Sequence, residues 1–377
     1  MKAVQGEKSR ASRRIDICLS HVGLDRKSLN AFQLCNALER CGHEVLITAV
    51  GTGHEHAWFP LAVKPRYVKP SSAGARTLVD QSGKRVTCDL SLHRTLDALA
   101  AAMPECDVHL CLDTLSLQAA AEAGRGEAWL WVQDGLQSRH AMLTYASVFL
   151  HPARRIYASS SLAFSAGTTL GERIEILRPG IDLEVFRPMP GRDLSRHSEP
   201  TGGGERLLVC LGEEGDWLGL ETLEKAIAVL RDSFPVRAIG LCGTTAPVGA
   251  RTGGIEFRFP SRPSEIAELF READAVAGSY PQGTFPMQTL EAMACGASVV
   301  IASDPALDYA DDGVDALLVR PGDAQALSEA VIEMFTNRHL ARALGENAAR
   351  RAAGYSWATT ASDLEALMEP ARAKSGA

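Results

Sequence analysis

The chain has 377 residues, 46% hydrophobic and 23% charged, which is ordinary globular material and long enough for two domains of roughly 150 to 200 residues. Its net charge of −7 offers no basic surface to a nucleic-acid backbone. No apolar run approaches the ~20 residues of a membrane span and no secretory h-region is visible. Nine cysteines are dispersed through apolar runs without paired or zinc-type spacing, which fits a reducing, cytoplasmic setting.

Residues 1–13 are polar and basic without apolar periodicity, and a disordered arm is expected there. A strand is predicted at 15–21, then a helix at about 28–42 with Phe32, Leu34, Cys35 and Leu38 at helical spacing. Gly42 stops that helix before a strand at 45–50. This βαβ opening predicts a right-handed parallel unit. Residues 51–90 are rich in Gly, Pro and His and give no clear pattern. Helices at 94–103 and 115–123 alternate with strands at 107–112, 128–133, 155–159 and 174–177. Within this half His109 reads as a satisfied core histidine.

Residues 188–205 form a linker by composition. The pattern then restarts, with strands at 207–211, 237–241, 255–259, 275–278, 298–301 and 316–319. Helices are predicted at 220–233, 262–272, 284–295 and 324–336. A further helical pattern begins near 338, and Tyr355-Ser356-Trp357 precedes a last helix. The fold class expected is α/β, with two doubly wound Rossmann-like domains facing a cleft at the carboxyl ends of their strands. The boundaries are 14–187 for the first domain, 188–205 for the linker, 206–354 for the second domain and 355–377 for a closing segment.

The stretch 279–303 organises the second half. A loop carrying Gln282 and Gly283 enters a helix for which Thr284 is the expected N-cap, with Pro286 in the first turn and Gly296 as the stop. Met287, Leu290 and Ala294 make a buried stripe, while Thr284, Gln288 and Glu291 fall on a second, polar face. A helix N-terminus behind a small-residue loop suits an anion.

Phe285-Pro286-Met287 followed by Leu290-Glu291-Ala292-Met293-Ala294-Cys295-Gly296 and a strand resembles the nucleotide-sugar motif of glycosyltransferase family 4. These are retaining enzymes of the GT-B fold. Leu177-Arg-Pro-Gly-Ile-Asp182 resembles that family's inter-domain segment, Asp311 to Asp323 its late loop–strand–loop, and Val132-Gln133-Asp134 a first-domain strand end. The resemblance implies transfer of a sugar from a nucleoside-diphosphate sugar to an acceptor, with no cofactor and no metal. It also implies that the closing segment packs back on the first domain.

Carried over residue by residue, the resemblance makes Glu291 a ribose ligand. Gly23, Gln282, Gly283, Thr284, Phe285, Pro286 and Met287 become donor contacts, and Arg139 and His140 line the acceptor side. Asp134 is the candidate base toward an acceptor hydroxyl, and Gln133 stands where the family often has histidine. Other positions depart from the pattern. The family's first motif glutamate falls on Gly283, with Gln282 as a stand-in if the loop has one extra residue. Its phosphate-clamping arginine and lysine fall on Glu213 and Leu218. Each charge pair is worth roughly 4 kcal/mol at 4 Å and an effective dielectric of 20, so the reversal of field is large. Arg26 and Lys27 are weighed as replacement cations against a solvated loop. The alternative is therefore a degenerate GT-B protein, acting as a non-catalytic partner or in a different coupling reaction.

Overall fold

The computed structural model describes residues 12–23, 25–53, 59–69, 76–79, 85–88, 91–133, 153–164, 174–189, 204–211, 219–241, 254–258, 260, 262–279, 285–302 and 309–369. The chain divides into two compact units. One is formed by the described residues of Met1–Trp131 and Ser138–Arg155, the other by those of Val132–Gln137 and Ile156–Ala377.

The chain's first sheet is built from β1 (Arg14–Leu19), β2 (Glu44–Val50), β3 (Arg66–Val68), β6 (Val108–Cys111), β7 (Glu127–Val132) and β8 (Arg154–Tyr157), in the order β3-β2-β1-β6-β7-β8. β1 pairs in parallel with both β2 and β6, and its residues from Ile15 to Leu19 are all buried, as a strand covered on both faces requires. Helix α1 (Arg26–Arg40) follows β1. It starts two residues before the predicted point because Asp25 caps it, its carboxylate accepting from the Ser28 N–H at 2.9 Å. At its far end Gly42, with φ of 87°, lets His43 donate to the Leu38 carbonyl and close the last turn. Helices α2 (Ser91–Ala102) and α3 (Thr114–Ala123) precede and follow β6. The unreadable region 51–90 holds β3 and an antiparallel pair, β4 (Arg76–Val79) with β5 (Arg85–Cys88).

The second unit repeats the plan. Its sheet has the order β11-β10-β9-β12-β13-β14. The strands are β9 (Arg206–Leu211), β10 (Val236–Leu241), β11 (Ile255–Arg258), β12 (Ala275–Ser279), β13 (Val299–Ala302) and β14 (Leu317–Val319), paired in parallel throughout. Helices α4 (Leu220–Arg231), α5 (Pro263–Glu272), α6 (Met287–Ala294), α7 (Ala324–Thr336), α8 (Arg338–Ala352) and α9 (Trp357–Met368) complete it. Leu223, Ile227 and Leu230 of α4 and Val331, Met334 and Phe335 of α7 pack on Leu208, Cys210, Ala238, Ala275 and Val300 in one apolar cluster.

In each sheet the strand order reverses beside the first strand, between β1 and β6 and again between β9 and β12. Open parallel sheets bind ligands at the carboxyl ends of the strands at such a point. The predicted strand at 174–177 is reduced to a single bridge, Ile176 to Tyr157. Segment 178–181 instead meets the start of α9. Ile181 donates to the Tyr355 carbonyl at 2.7 Å, and the Thr360 hydroxyl donates to the Arg178 carbonyl at 2.9 Å.

Candidate functional site

Helix α6 begins at Met287, later than predicted, with Pro286 at the N-cap and no side-chain capping bond. Thr284 is therefore not the cap. Proline pushes the residue before it out of the helical region, so the helix cannot extend back through Phe285. At the other end the prediction holds. Gly296, with φ of 78°, donates to the Met293 carbonyl, and Ala297 donates to that of Ala292, a complete Schellman closure. Met287, Leu290 and Ala294 are buried as expected.

Glu291 is buried too, at 3% exposure, and does not lie on a solvated face. A carboxylate so placed has been taken out of water, so it must have polar partners. Its neighbour Cys295 is a neutral thiol. Burial pushes that group up to about 12; nearby Arg271 opposes the rise and Glu291 adds to it. This removes Cys295 as a nucleophile at neutral pH.

At the reversal between β9 and β12, two residues meet. Ser279 ends β12 and is 4% exposed; Gly219 is the N-cap of α4 with φ of 99°. A Cβ on Gly219 would lie 2.4 Å from Ser279 Oγ and 2.8 Å from its carbonyl oxygen, so no side chain fits. The close approach brings the first turn of α4, whose N–H groups have no partners within the helix, and the Ser279 hydroxyl to one rim of the sheet. The Phe285 ring packs edge-on against Tyr309, with centroids 5.4 Å apart and planes at 62°. The turn after Tyr309 is tied to α8. Asp311 N–H donates to Asp315 Oδ1 at 2.8 Å, and the Arg351 guanidinium pairs with Asp311 and with the buried Asp315.

Phe285, Pro286, Met287 and Glu291 thus stand together at the start of α6 in the second unit. Gln282, Gly283, Thr284, Asp134, Arg139, His140, Glu213 and Leu218 lie outside the described residues. Gln133 follows β7 and is 8% exposed. Gly23 follows β1 in the first unit, where its N–H donates to Ser28 Oγ at 3.1 Å and a Cβ would meet His21 Nε2 at 2.7 Å. Arg26 and Lys27 are half-buried in the first turn of α1. Sequence reasoning read Gly219 only as the closing glycine of the phosphate-clamp pattern and gave no role to Ser279 or Tyr309. The first two carried a usable signal, a glycine directly before a helix and a polar residue ending an apolar strand. Tyr309 carried none.

Residues 192–351 match the glycosyl transferases group 1 family. The matched span contains β9, β12, α6 and the Gly219–Ser279 contact between them. Among curated relatives, the D-inositol 3-phosphate glycosyltransferase of Corynebacterium glutamicum (strain R) is 29% identical over 218 residues, 53% of this chain and 52% of that protein. That of Frankia alni is 30% identical over 212 residues, 50% and 51% of the two chains. The chain spans about half the length of the curated relatives it matches. Among solved structures, Anabaena Alr3699/HepE in complex with UDP and glucose superposes with a TM-score of 0.70 at 17% identity, covering 95% of this chain and 100% of that one. A glycosyltransferase from Rickettsia africae ESF-5 gives 0.71 at 12% identity, covering 94% and 97%. These likenesses, with the two parallel sheets, make the fold GT-B. No helix of the described residues is long and apolar enough to cross a membrane.

Proposed function

We propose that the chain transfers a sugar from a nucleoside-diphosphate sugar to an acceptor, with retention of configuration, and that the second unit binds the donor. The observation that carries this reading is the buried Glu291 on α6, the helix that follows β12, together with the Gly219–Ser279 rim, all within the segment matched by the family. A buried carboxylate can accept from ribose hydroxyls, and the rim offers N–H and O–H donors of the kind a diphosphate needs. Gln282, Gly283, Thr284 and Gly23 are the further donor contacts of this reading. Stabilising charge on the departing diphosphate is the main catalytic requirement, and fixed N–H dipoles supply part of it. Asp134 is the proposed base toward the acceptor, Gln133 a hydrogen-bonding partner for the sugar, and Arg139 and His140 acceptor contacts.

Calorimetry with UDP, GDP, ADP and dTDP tests the donor half of this reading. One of them should bind more tightly than about 1 mM, and Glu291→Gln should weaken that binding about 10-fold or more, the loss expected for a hydrogen bond to a charged group. If none binds, the reading fails. An acceptor screen should include an inositol phosphate, since that is what the curated relatives are named for.

A second reading, a degenerate GT-B protein, is favoured by Glu213 and Leu218 at positions where the resemblance expects arginine and lysine, and by Gly283 and Gln133. The double variant Glu213→Arg/Leu218→Lys separates the two. A large gain in nucleotide affinity would mark a disarmed clamp, whereas an unchanged affinity in a chain that already binds nucleotide would favour the active enzyme.

A further inference from the structure

The first unit contains a group of side chains that the proposed reaction does not use. Asp16 and Cys18 are two apart on β1, and His109 and Cys111 are two apart on β6. In the parallel register Asp16 lies opposite His109 and Cys18 opposite Cys111. Side chains two apart on a strand share a face, so the four form a two-by-two grid on one face of the sheet. All four are 0% exposed.

The atoms converge. Asp16 Oδ2 lies 3.1 Å from His109 Nδ1 and 3.4 Å from Cys18 Sγ, and Cys18 Sγ lies 3.8 Å from His109 Nδ1. The Cys111 thiol lies outside this triangle and donates to the His109 carbonyl at 3.6 Å. Four ligands around zinc at its usual bond lengths of about 2.0–2.3 Å stand about 3.3–3.8 Å from one another in tetrahedral geometry. The observed triangle therefore has nearly the dimensions of one face of such a tetrahedron.

Charge points the same way. Among the described residues Asp16 has no lysine or arginine partner; its ion-pair contact is His109. The Thr48 hydroxyl donates to the carboxylate at 2.9 Å, but a hydroxyl brings no charge. If His109 were the cation, its Nε2–H would be a buried charged donor with no acceptor among the described residues. With His109 neutral, the Asp16 charge stands uncompensated in a dry sheet. A divalent ion held by the Asp16 carboxylate, the Cys18 thiolate and neutral His109 brings the sum to zero before Cys111 is counted.

We propose that Asp16, Cys18 and His109 form a buried structural zinc site that ties β1 to β6, with Cys111 as the fourth ligand once its thiol turns from the His109 carbonyl. Binding releases the Cys18 and Cys111 thiol protons to solvent and leaves the single proton of neutral His109 on Nε2, and no oxidation or reduction is involved. Because the grid is wholly buried, the ion enters before the sheet closes, so occupancy is linked to folding.

The test uses the full chain, unfolded with a chelator, freed of chelator, and refolded with Zn²⁺, with Co²⁺ or with neither. Zinc should be retained at about one ion per chain. Co²⁺ should give the visible absorption of tetrahedral cobalt with thiolate charge transfer, and the metal-refolded chain should melt several degrees above the metal-free one. Asp16→Val/His109→Val should lose the retained metal and the absorption, while Cys41→Ser, an exposed thiol elsewhere, should keep both. Refolded wild-type chain that holds no zinc and shows no cobalt–thiolate absorption overturns the proposal, whether or not the double variant folds. Equal metal retention by wild type and a folded double variant also overturns it.

Discussion

The two halves use one topology and place their polar groups at different depths. The same brace marks equivalent positions in both. Arg14 N–H donates to Asp107 Oδ2 at 2.7 Å and Asp107 N–H to the Arg14 carbonyl; Leu207 N–H donates to Asp274 Oδ2 at 2.8 Å and Asp274 N–H to the Leu207 carbonyl. Two residues further along, the first half has Asp16 opposite His109, and the second has Val209 opposite Val276. Two residues beyond that, Cys18 and Cys111 correspond to Leu211 and Gly278. The second half fills these positions with apolar residues and glycine and holds Ser279, Gly219 and Glu291 at or beyond the strand ends. A polar group at the rim can meet a ligand; one in mid-sheet can meet only other buried groups. The first half's polar groups thus face one another within the sheet, and the second half's stand where the proposed donor would meet them.

The largest expected effect comes from breaking that difference inside the first sheet. His109→Val alone leaves the buried Asp16 carboxylate without the ring nitrogen that lies 3.1 Å from it, and about 3 kcal/mol or more of stability should be lost. Asp16→Val/His109→Val copies the second half's pair and should recover much of that loss. Urea denaturation of wild type, both single variants and the double variant gives the coupling directly. Additive single-site losses would show that the two residues do not act as a unit.

A smaller effect should follow at the second half's rim. Gly219→Ala places a Cβ against Ser279 and forces an L side chain into left-handed backbone, at a cost of about 1–3 kcal/mol. Nucleotide affinity should fall further than stability does, because the first turn of α4 moves with the strain. Thermal melting beside calorimetry separates the two. Loss of stability with unchanged affinity would remove the rim from the donor site.

How much of this was legible in the chain depended on range. Local signals worked well: α7 occupies the predicted 324–336, since Asp323 caps it and Asn337 ends it. The Ser356 cap of α9 and the Gly296 closure of α6 were equally visible. The start of α6 was misplaced because a good capping residue, Thr284, was weighed above the steric effect of Pro286 on Phe285. Segment 174–177 has strand composition but found only a bridge, because burial and pairing decide strands more than propensity does. The Asp16–His109 grid was invisible for another reason. Each strand carries only one residue between its two donors, and the set forms only when the register of β1 against β6 is known. Glu291 was named from its motif, but its burial comes from packing that no spacing reveals.

The smallest expected effect concerns the thiols, and it sharpens the contrast between a donor grid and ordinary core cysteines. Burial pushes Cys210, on β9, up to about 12, with Arg231 opposing slightly, and it pushes Cys295 up to about 12 as well. In the unfolded chain these thiols ionise near their ordinary value of 9.0. The folded state therefore holds protons that the unfolded state has released, and stability is full below about pH 9 and falls as pH rises toward 12. Denaturant unfolding from pH 8 upward should show this decline, and Cys210→Ala or Cys295→Ala should make it shallower while lowering stability at pH 8 by the loss of packing. Neither variant should alter the metal content of the chain, since neither thiol belongs to the grid. An unchanged slope in both variants would assign the alkaline loss to other groups.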